Sequence, residues 1–374
     1  MTIAVHIRFP DNATDPATNL HYQCFLLLAA GYPEHHFIFL FDKPYPTGLI
    51  TEKNITALLL PPQVKNPLLQ HYWYNFKIPR LLNRYHADHF ISNGPVCSLR
   101  TNIPQAMILH DLSFLDKKNL YTAAETRYLK KYFKRFVLKA SVIAVTNHYV
   151  RNILAGMYPQ SIDKIQVIGY GLKTYPAPLQ EEALQHIKEK YSAGKEYFQV
   201  FVTDASIENT VVILKAFSAF KKRQLSNMQL ILLVSAAQKE GFIPGFENYK
   251  YRDEVKIIVP ENEAQERAIT AAAYAAIYLP VINVHEDKGL LALSNNVPLL
   301  TCDNDLCKSL YHEAALYSPA DEKQVAERMM LLYKDENLRN NLLHAGRSIA
   351  VTYTWDHTAG KLGQSLLDTA VQTA

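Results

Sequence analysis

A chain of 374 residues is longer than one ordinary domain and suits two, each large enough to bury its own core. With 48% apolar and 20% charged residues, and no apolar run near the roughly 18 residues of a membrane span, the composition excludes a disordered or membrane-spanning chain. The net charge of +4 is unevenly spread: residues 1–180 carry 19 Lys/Arg against 10 Asp/Glu, and the remainder 20 against 25. Either the two halves meet different partners or the difference is surface drift. The opening "MTIAVHIRFP" has no basic stretch followed by a long apolar one, so no signal peptide is expected. Cys24, Cys97, Cys302 and Cys307 have no CxxC spacing and no paired histidines. They are expected as core thiols in a reducing cytoplasm rather than as zinc ligands.

Short apolar runs then recur along the chain with helical segments between them. The first half holds "IAVHIR" (3–8), "FIFLF" (37–41), "ITALLL" (55–60), "HFIS" (89–92), "AMILH" (106–110), "VIAV" (142–145) and "IQVIG" (165–169). The aromatic stretch "HYWYNFKIPRLLNRYHADHF" (71–90) predicts a helix with a Trp/Tyr/Phe core face, or a surface that stacks on sugars beside Lys77, Arg80 and Arg84. In "TAAETRYLKKYFKRFVLKA" (122–140), Leu129, Phe133, Phe136 and Ala140 share one helical stripe, with Lys130, Lys131, Lys134 and Arg135 largely off it.

The two prolines of "GLKTYPAPLQ" (171–180) make a stiff connector and place the break between a domain 1–175 and a domain 176–374. Beyond it come "FQVFV" (198–202), "LILLV" (230–234), "VKIIV" (255–259), "AIYLP" (276–280), "PLLTC" (298–302) and "ALYS" (315–318). Strands this apolar are buried on both faces, which predicts parallel sheets covered by helices. Strand and helix alternating twice over predict an α/β chain of two doubly wound, Rossmann-like domains.

The order of motifs resembles the GT-B glycosyltransferases, specifically the retaining, family-4-like "group 1" enzymes that use nucleotide-diphosphate sugars. The resemblance is carried by "ILHDLSFLDKKNLYTAAETRYLKKYFKRFVLKASVIAVTNHYVRNIL" (108–154), by "IDKIQVIGYGL" (162–172), and by residues 297–362 from "VPLLTCDND" to "YTWDHTAGKL". It implies two Rossmann-like domains facing a cleft: an N-terminal acceptor domain, a C-terminal nucleotide-sugar domain, and a final helix after Trp355 that crosses back to the first.

The resemblance also assigns roles. His110, closing a strand in "HDLSF", stands where the family's histidine faces the donor sugar. Asp111 beside it is the type of residue that caps a following turn. Thr146, Asn147 and Gly171 line the cleft by motif order. The loop 8–25 takes the place of a glycine-containing loop but has no glycine; Asn19 or His21 are its candidates for an acceptor contact. In the second half Asn209 is kept, yet Ile207 and Glu208 occupy the places of an Arg/Lys pair that clasps the donor pyrophosphate, and neither can neutralise it.

In "NVHEDKGLLALSNNVPLLTCD" (283–303) an ungapped alignment puts Asn283 and Leu291 at the family's two glutamates. The preferred register allows a three-residue deletion, making Glu286 the first glutamate and Gly289 the glycine that opens the helix. The second glutamate, which holds the ribose, has no counterpart in either. Backbone N–H groups at Gly289, Leu290 and Leu291 can face a phosphate, Lys288 can replace the lost clasp, and Glu286 can accept from sugar hydroxyls.

The expected function is sugar transfer with retention from a nucleotide-diphosphate sugar to a glycan, lipid-linked or small-molecule acceptor, as in polysaccharide biosynthesis. No metal is expected, as the metal-independent chemistry of the GT-B enzymes implies, and no nucleic acid. The expected place is the cytoplasm, with contact to an anionic inner membrane face, and an oligomer is allowed. The alternative is a transferase-like chain that acts as partner or stabiliser of an active subunit. A GT-B epimerase fits less well, because the closing "YTWDHT" is transferase-like.

Overall fold

The computed structural model describes residues 1–8, 20–45, 50, 52–172, 179–238, 243, 245–284 and 286–373. The loop around Asn19, the connector 173–178, His285 and the His21 side chain lie outside them. The chain divides into two compact units, Met1–Lys173 with Tyr353–Ala374, and Thr174–Thr352.

Among the described residues of the first unit, seven parallel strands form one sheet. They are β1 (Thr2–Ile7), β2 (His36–Phe41), β3 (Ile55–Leu59), β4 (His89–Asn93), β5 (Gln105–Leu109), β6 (Val142–Val145) and β7 (Ile165–Val167). Their order is β3-β2-β1-β4-β5-β6-β7, with Ile3 opposite both Phe37 and His89. β2 shows why these strands read as unbroken apolar runs. Its Phe37, Phe39 and Phe41 join one buried cluster and its Ile38 and Leu40 another, one on each face of the sheet.

The second unit repeats the plan with six parallel strands among its described residues: β8 (Tyr197–Phe201), β9 (Gln229–Leu233), β10 (Val255–Ile258), β11 (Ala275–Tyr278), β12 (Leu299–Cys302) and β13 (Ala315–Ser318). Here the order is β10-β9-β8-β11-β12-β13. In both sheets the strand order reverses at the centre, between β1 and β4 and between β8 and β11. Open α/β sheets bind ligands beyond the carboxyl ends of the strands at such a reversal.

The helix Ala123–Lys139 starts on a capping box, in which the Thr122 hydroxyl accepts from the Glu125 N–H (3.2 Å) and the Glu125 carboxylate accepts from the Thr122 N–H (2.9 Å). Leu129, Phe133 and Phe136 are buried, while Lys130, Lys131, Lys134 and Arg135 are exposed. The predicted stripe is therefore the packed one. Residues 67–84 depart from a plain helix. A π turn, Trp73–Lys77, separates the helices Pro67–Tyr72 and Ile78–Arg84. Pro79 has no N–H for the Asn75 carbonyl, and the wider turn relieves the clash that a proline makes inside a regular helix. The wider turn buries three successive residues, Trp73, Tyr74 and Asn75, so the aromatic run is core, as its helical reading expects.

The closing helix Trp355–Thr373 belongs to the first unit and packs on the helix Leu20–Gly31 through Leu362 and Leu366. It is anchored at its start, where the Leu172 N–H donates to the Tyr353 carbonyl (3.0 Å) and Gly171 lies directly on Trp355. No helix among the described residues is long and apolar enough to cross a membrane.

Candidate functional site

In the first unit His110, Asp111, Thr146 and Asn147 gather at the carboxyl ends of β5 and β6. His110 follows β5, and its Nε2–H donates to Asn93 Oδ1 at the end of β4 (3.0 Å). The Thr146 hydroxyl, just past β6, donates to the His110 carbonyl (3.1 Å), and Asn147 donates to that hydroxyl (3.2 Å). Two neighbouring strand ends therefore fix the position of the imidazole.

Asn147 also caps the helix His148–Met157 by accepting from the Val150 N–H (2.9 Å). Asp111 accepts from the Ser113 N–H (2.7 Å) and hydroxyl (2.6 Å), closing the turn that starts Ser113–Leu115. Burial raises the Asp111 carboxyl above its usual range against the pull of those bonds. A cavity of about 20 Å³ borders His110 and Thr146, with Cys24, Tyr170 and Thr358 on its other walls.

Gly171 answers to packing. A Cβ there would come within 2.6 Å of both the backbone N and the Cα of Trp355.

In the second unit the central feature is Glu286, in the loop after β11. Tyr278, the last residue of β11, and Thr203, two residues past β8, both donate their hydroxyls to Glu286 Oε2, the latter at 2.7 Å. These are the two strands that flank the order reversal. Among the described residues both hydrogen bonds that Glu286 accepts fall on Oε2. Burial raises its carboxyl pKa; the two hydroxyls and Lys288 oppose the rise without cancelling it.

The remaining candidates of this unit are engaged by the protein itself. Lys288 Nζ sits 2.6 Å from Glu266 Oε1, on the helix Glu263–Ala271, and 3.8 Å from Asp287. Burial works against its charge, but Asp287, Glu266 and Glu286 outweigh that and hold its pKa above the usual lysine range. Asn209 donates to the Leu279 carbonyl (2.9 Å), tying the turn after β8 to the end of β11. Gly289 is the second residue of the helix Lys288–Ser294, and a Cβ on it would run into the Tyr311 ring, 2.8 Å from Cε1. Leu290 is wholly buried.

Sequence reasoning did not find Asn93, Thr203, Tyr278 or Glu266. Three of them share a signal that was there to read: a polar residue at the carboxyl end of a central strand. Glu266 carries none, because it meets Lys288 from a separate helix.

The chain matches no protein-family model and no curated protein sequence. Solved structures do resemble it. A glycosyltransferase from Rickettsia africae aligns with TM-score 0.73 at 15% identity over 99% of this chain and 98% of its own. Sucrose-phosphate synthase from Thermosynechococcus elongatus aligns with TM-score 0.71 at 15% identity over 100% of both chains. HepE of Anabaena, in complex with UDP and glucose, aligns with TM-score 0.66 at 11% identity over 99% of both. The fold is therefore that of the GT-B glycosyltransferases, as the motif order implies. Identity this low carries the fold and not the reaction.

Proposed function

We propose that the chain is a retaining glycosyltransferase moving a sugar from a nucleotide-diphosphate sugar to a glycan, lipid-linked or small-molecule acceptor without a metal. The observation that carries this reading is Glu286, a carboxylate held by two hydroxyls where the strand order of the second sheet reverses. Such an enzyme needs no side-chain nucleophile; it orients two substrates and stabilises the leaving diphosphate. Glu286 Oε1 accepts from hydroxyls of the donor sugar, and the start of the helix Lys288–Ser294 turns the Gly289 N–H to the diphosphate. His110, oriented by Asn93, is the first unit's candidate for substrate contact. The UDP held by HepE makes uracil the first base to try.

Donor affinity is expected to be millimolar. Ile207 and Glu208 stand at the clasp positions, and Lys288 is already neutralised by Glu266. Each missing charge-assisted contact costs about 1.5–3 kcal/mol, so two of them carry a micromolar site to about millimolar. Calorimetry against UDP, GDP, ADP and dTDP tests this: submicromolar binding of any of them contradicts the weak site.

The engaged Lys288 also favours a second reading, a transferase-like partner of an active subunit. If none of the four nucleotides binds at ten times the expected concentration and the purified chain transfers no sugar, the partner reading stands and the transferase reading falls.

For the exposed face of Lys130, Lys131, Lys134 and Arg135 we propose an anionic membrane surface, at about 1 kcal/mol per basic residue over a Debye length of roughly 8 Å. The protein should co-sediment with anionic vesicles at low salt and be released at high salt. Equal binding to neutral vesicles, or none at low salt, contradicts the contact.

A further inference from the structure

A groove of about 250 Å³ opens on the first unit, between the end of β3 and the helix Ile78–Arg84. β3 is an edge strand, so no further strand among the described residues covers this side. One wall is Leu58, Leu59 and Leu60, and Leu59 is 48% exposed. Facing it are Lys77, Arg80 and Arg84, with Leu81 and Tyr85 between them. Spacings of three and four residues set the three cations on one helical face.

These cations have no carboxylate within ion-pair distance among the described residues. Arg80 donates to the Phe76 carbonyl (3.2 Å), and the Arg84 guanidinium lies 5.7 Å from the Tyr85 ring centre. The acids of neighbouring segments are committed elsewhere: Asp42 accepts from the Val64 N–H (2.8 Å) and Asp88 from the Thr2 N–H (2.7 Å). The width of the groove is fixed from below, where the Trp73 indole N–H donates to the Leu60 carbonyl (2.7 Å). Three like charges on one face oppose helix formation unless an anion joins them. Arginine forks suit phosphate oxygens, and the opposite wall offers leucine rather than further donors.

We propose that this groove binds a phosphate group carried on an apolar chain, the phosphate on Lys77, Arg80 and Arg84 and the chain along Leu58–Leu60. The volume lies just below the range of about 300–1,000 Å³ usual for small-molecule pockets, which suits a phosphate and the first carbons of its chain rather than a whole nucleotide. The site stands on the groove alone and is independent of the donor reading of Glu286.

The test is titration of the full chain with geranyl phosphate, kept below its micelle threshold, and separately with inorganic phosphate. Geranyl phosphate should bind saturably and more tightly than inorganic phosphate. The double variant Arg80→Ala/Arg84→Ala should weaken it by about tenfold or more, each lost charge-assisted contact being a strong one. Leu59→Ser should weaken geranyl phosphate and leave inorganic phosphate unchanged. Lys117→Ala, an exposed cation outside the groove, should bind as wild type, and thermal melts confirm that each variant is folded. The proposal is overturned if wild type shows no saturable binding up to millimolar concentration, or if the double variant binds as wild type. It is equally overturned if inorganic phosphate binds as tightly as geranyl phosphate.

Discussion

Adding one methyl group at Gly171 should cost this protein about 3 kcal/mol, the upper part of the range for overpacking a filled core. The new Cβ would sit 2.6 Å from the backbone N and Cα of Trp355, and backbone atoms cannot rotate out of the way as a side chain can. The start of the closing helix would have to move. Leu172 would then lose its hydrogen bond to Tyr353, and Leu362 and Leu366 further along would lose their seat in the first unit's core. On the scale of roughly 2–4 °C per kcal/mol for a unit of this size, its melting transition should fall by about 6–12 °C. Gly360→Ala, on the same helix, should go the other way by up to about 1 kcal/mol. Nothing lies within 4 Å of its Cβ position, and alanine is the better helix former. Calorimetric melts of the two variants with limited proteolysis of the closing helix decide the matter. If Gly171→Ala melts with wild type, the close approach to Trp355 is not rigid.

The strands were legible because burial on both faces leaves little freedom of composition. Phe37 to Phe41 must all be apolar when alternate residues enter opposite clusters. The basic helix was legible for the opposite reason: one face is packed and the other is solvated, so the period shows in Leu129, Phe133 and Phe136 against Lys130, Lys134 and Arg135. The π turn at Trp73–Lys77 was not, since Pro79 announces a disturbance but not which way the helix resolves it. At the site, Glu286 stood out as a charge beside an apolar helix. Its supports did not: Thr203 and Tyr278 lie 83 and 8 residues away in sequence, and only the sheet order brings β8 beside β11. The packing at the glycines was not legible either: Gly171 was placed by motif order and Gly289 as the opening of a helix, and the structure sets them against Trp355 and Tyr311.

If the proposed transfer is this chain's reaction, replacing Glu286 by glutamine should abolish most of it while making the folded protein more stable at neutral pH. Burial raises the Glu286 carboxyl above its usual 4.5, so the folded chain holds that proton to higher pH than the unfolded one. The sign follows by linkage. Wild type binds more protons folded than unfolded between the ordinary and the raised pKa, and loses stability as pH rises through that window. Above the window it carries a constant penalty, which glutamine removes. Lys288 keeps Glu266 and is not orphaned by the change. The gain in melting temperature should therefore be full above the raised pKa and shrink as pH falls through it toward and below 4.5.

Activity should not follow stability. Glutamine has one acceptor oxygen, and the hydroxyls of Thr203 and Tyr278 both require it, so its amide N–H₂ would face outward in place of Oε1. A sugar hydroxyl that donates to a carboxylate would then meet a donor. The loss is that of a hydrogen bond to a charged group, about 1.5–3 kcal/mol, or roughly 10- to 150-fold in turnover. Glu286→Ala should lose as much activity and also lose stability, because it leaves both buried hydroxyls without their acceptor. Measuring transfer and melting on the same samples across pH separates the outcomes. A glutamine variant that is more stable yet as active as wild type places the sugar contact elsewhere. One that is less stable at neutral pH means that the buried carboxylate is charged there at no cost.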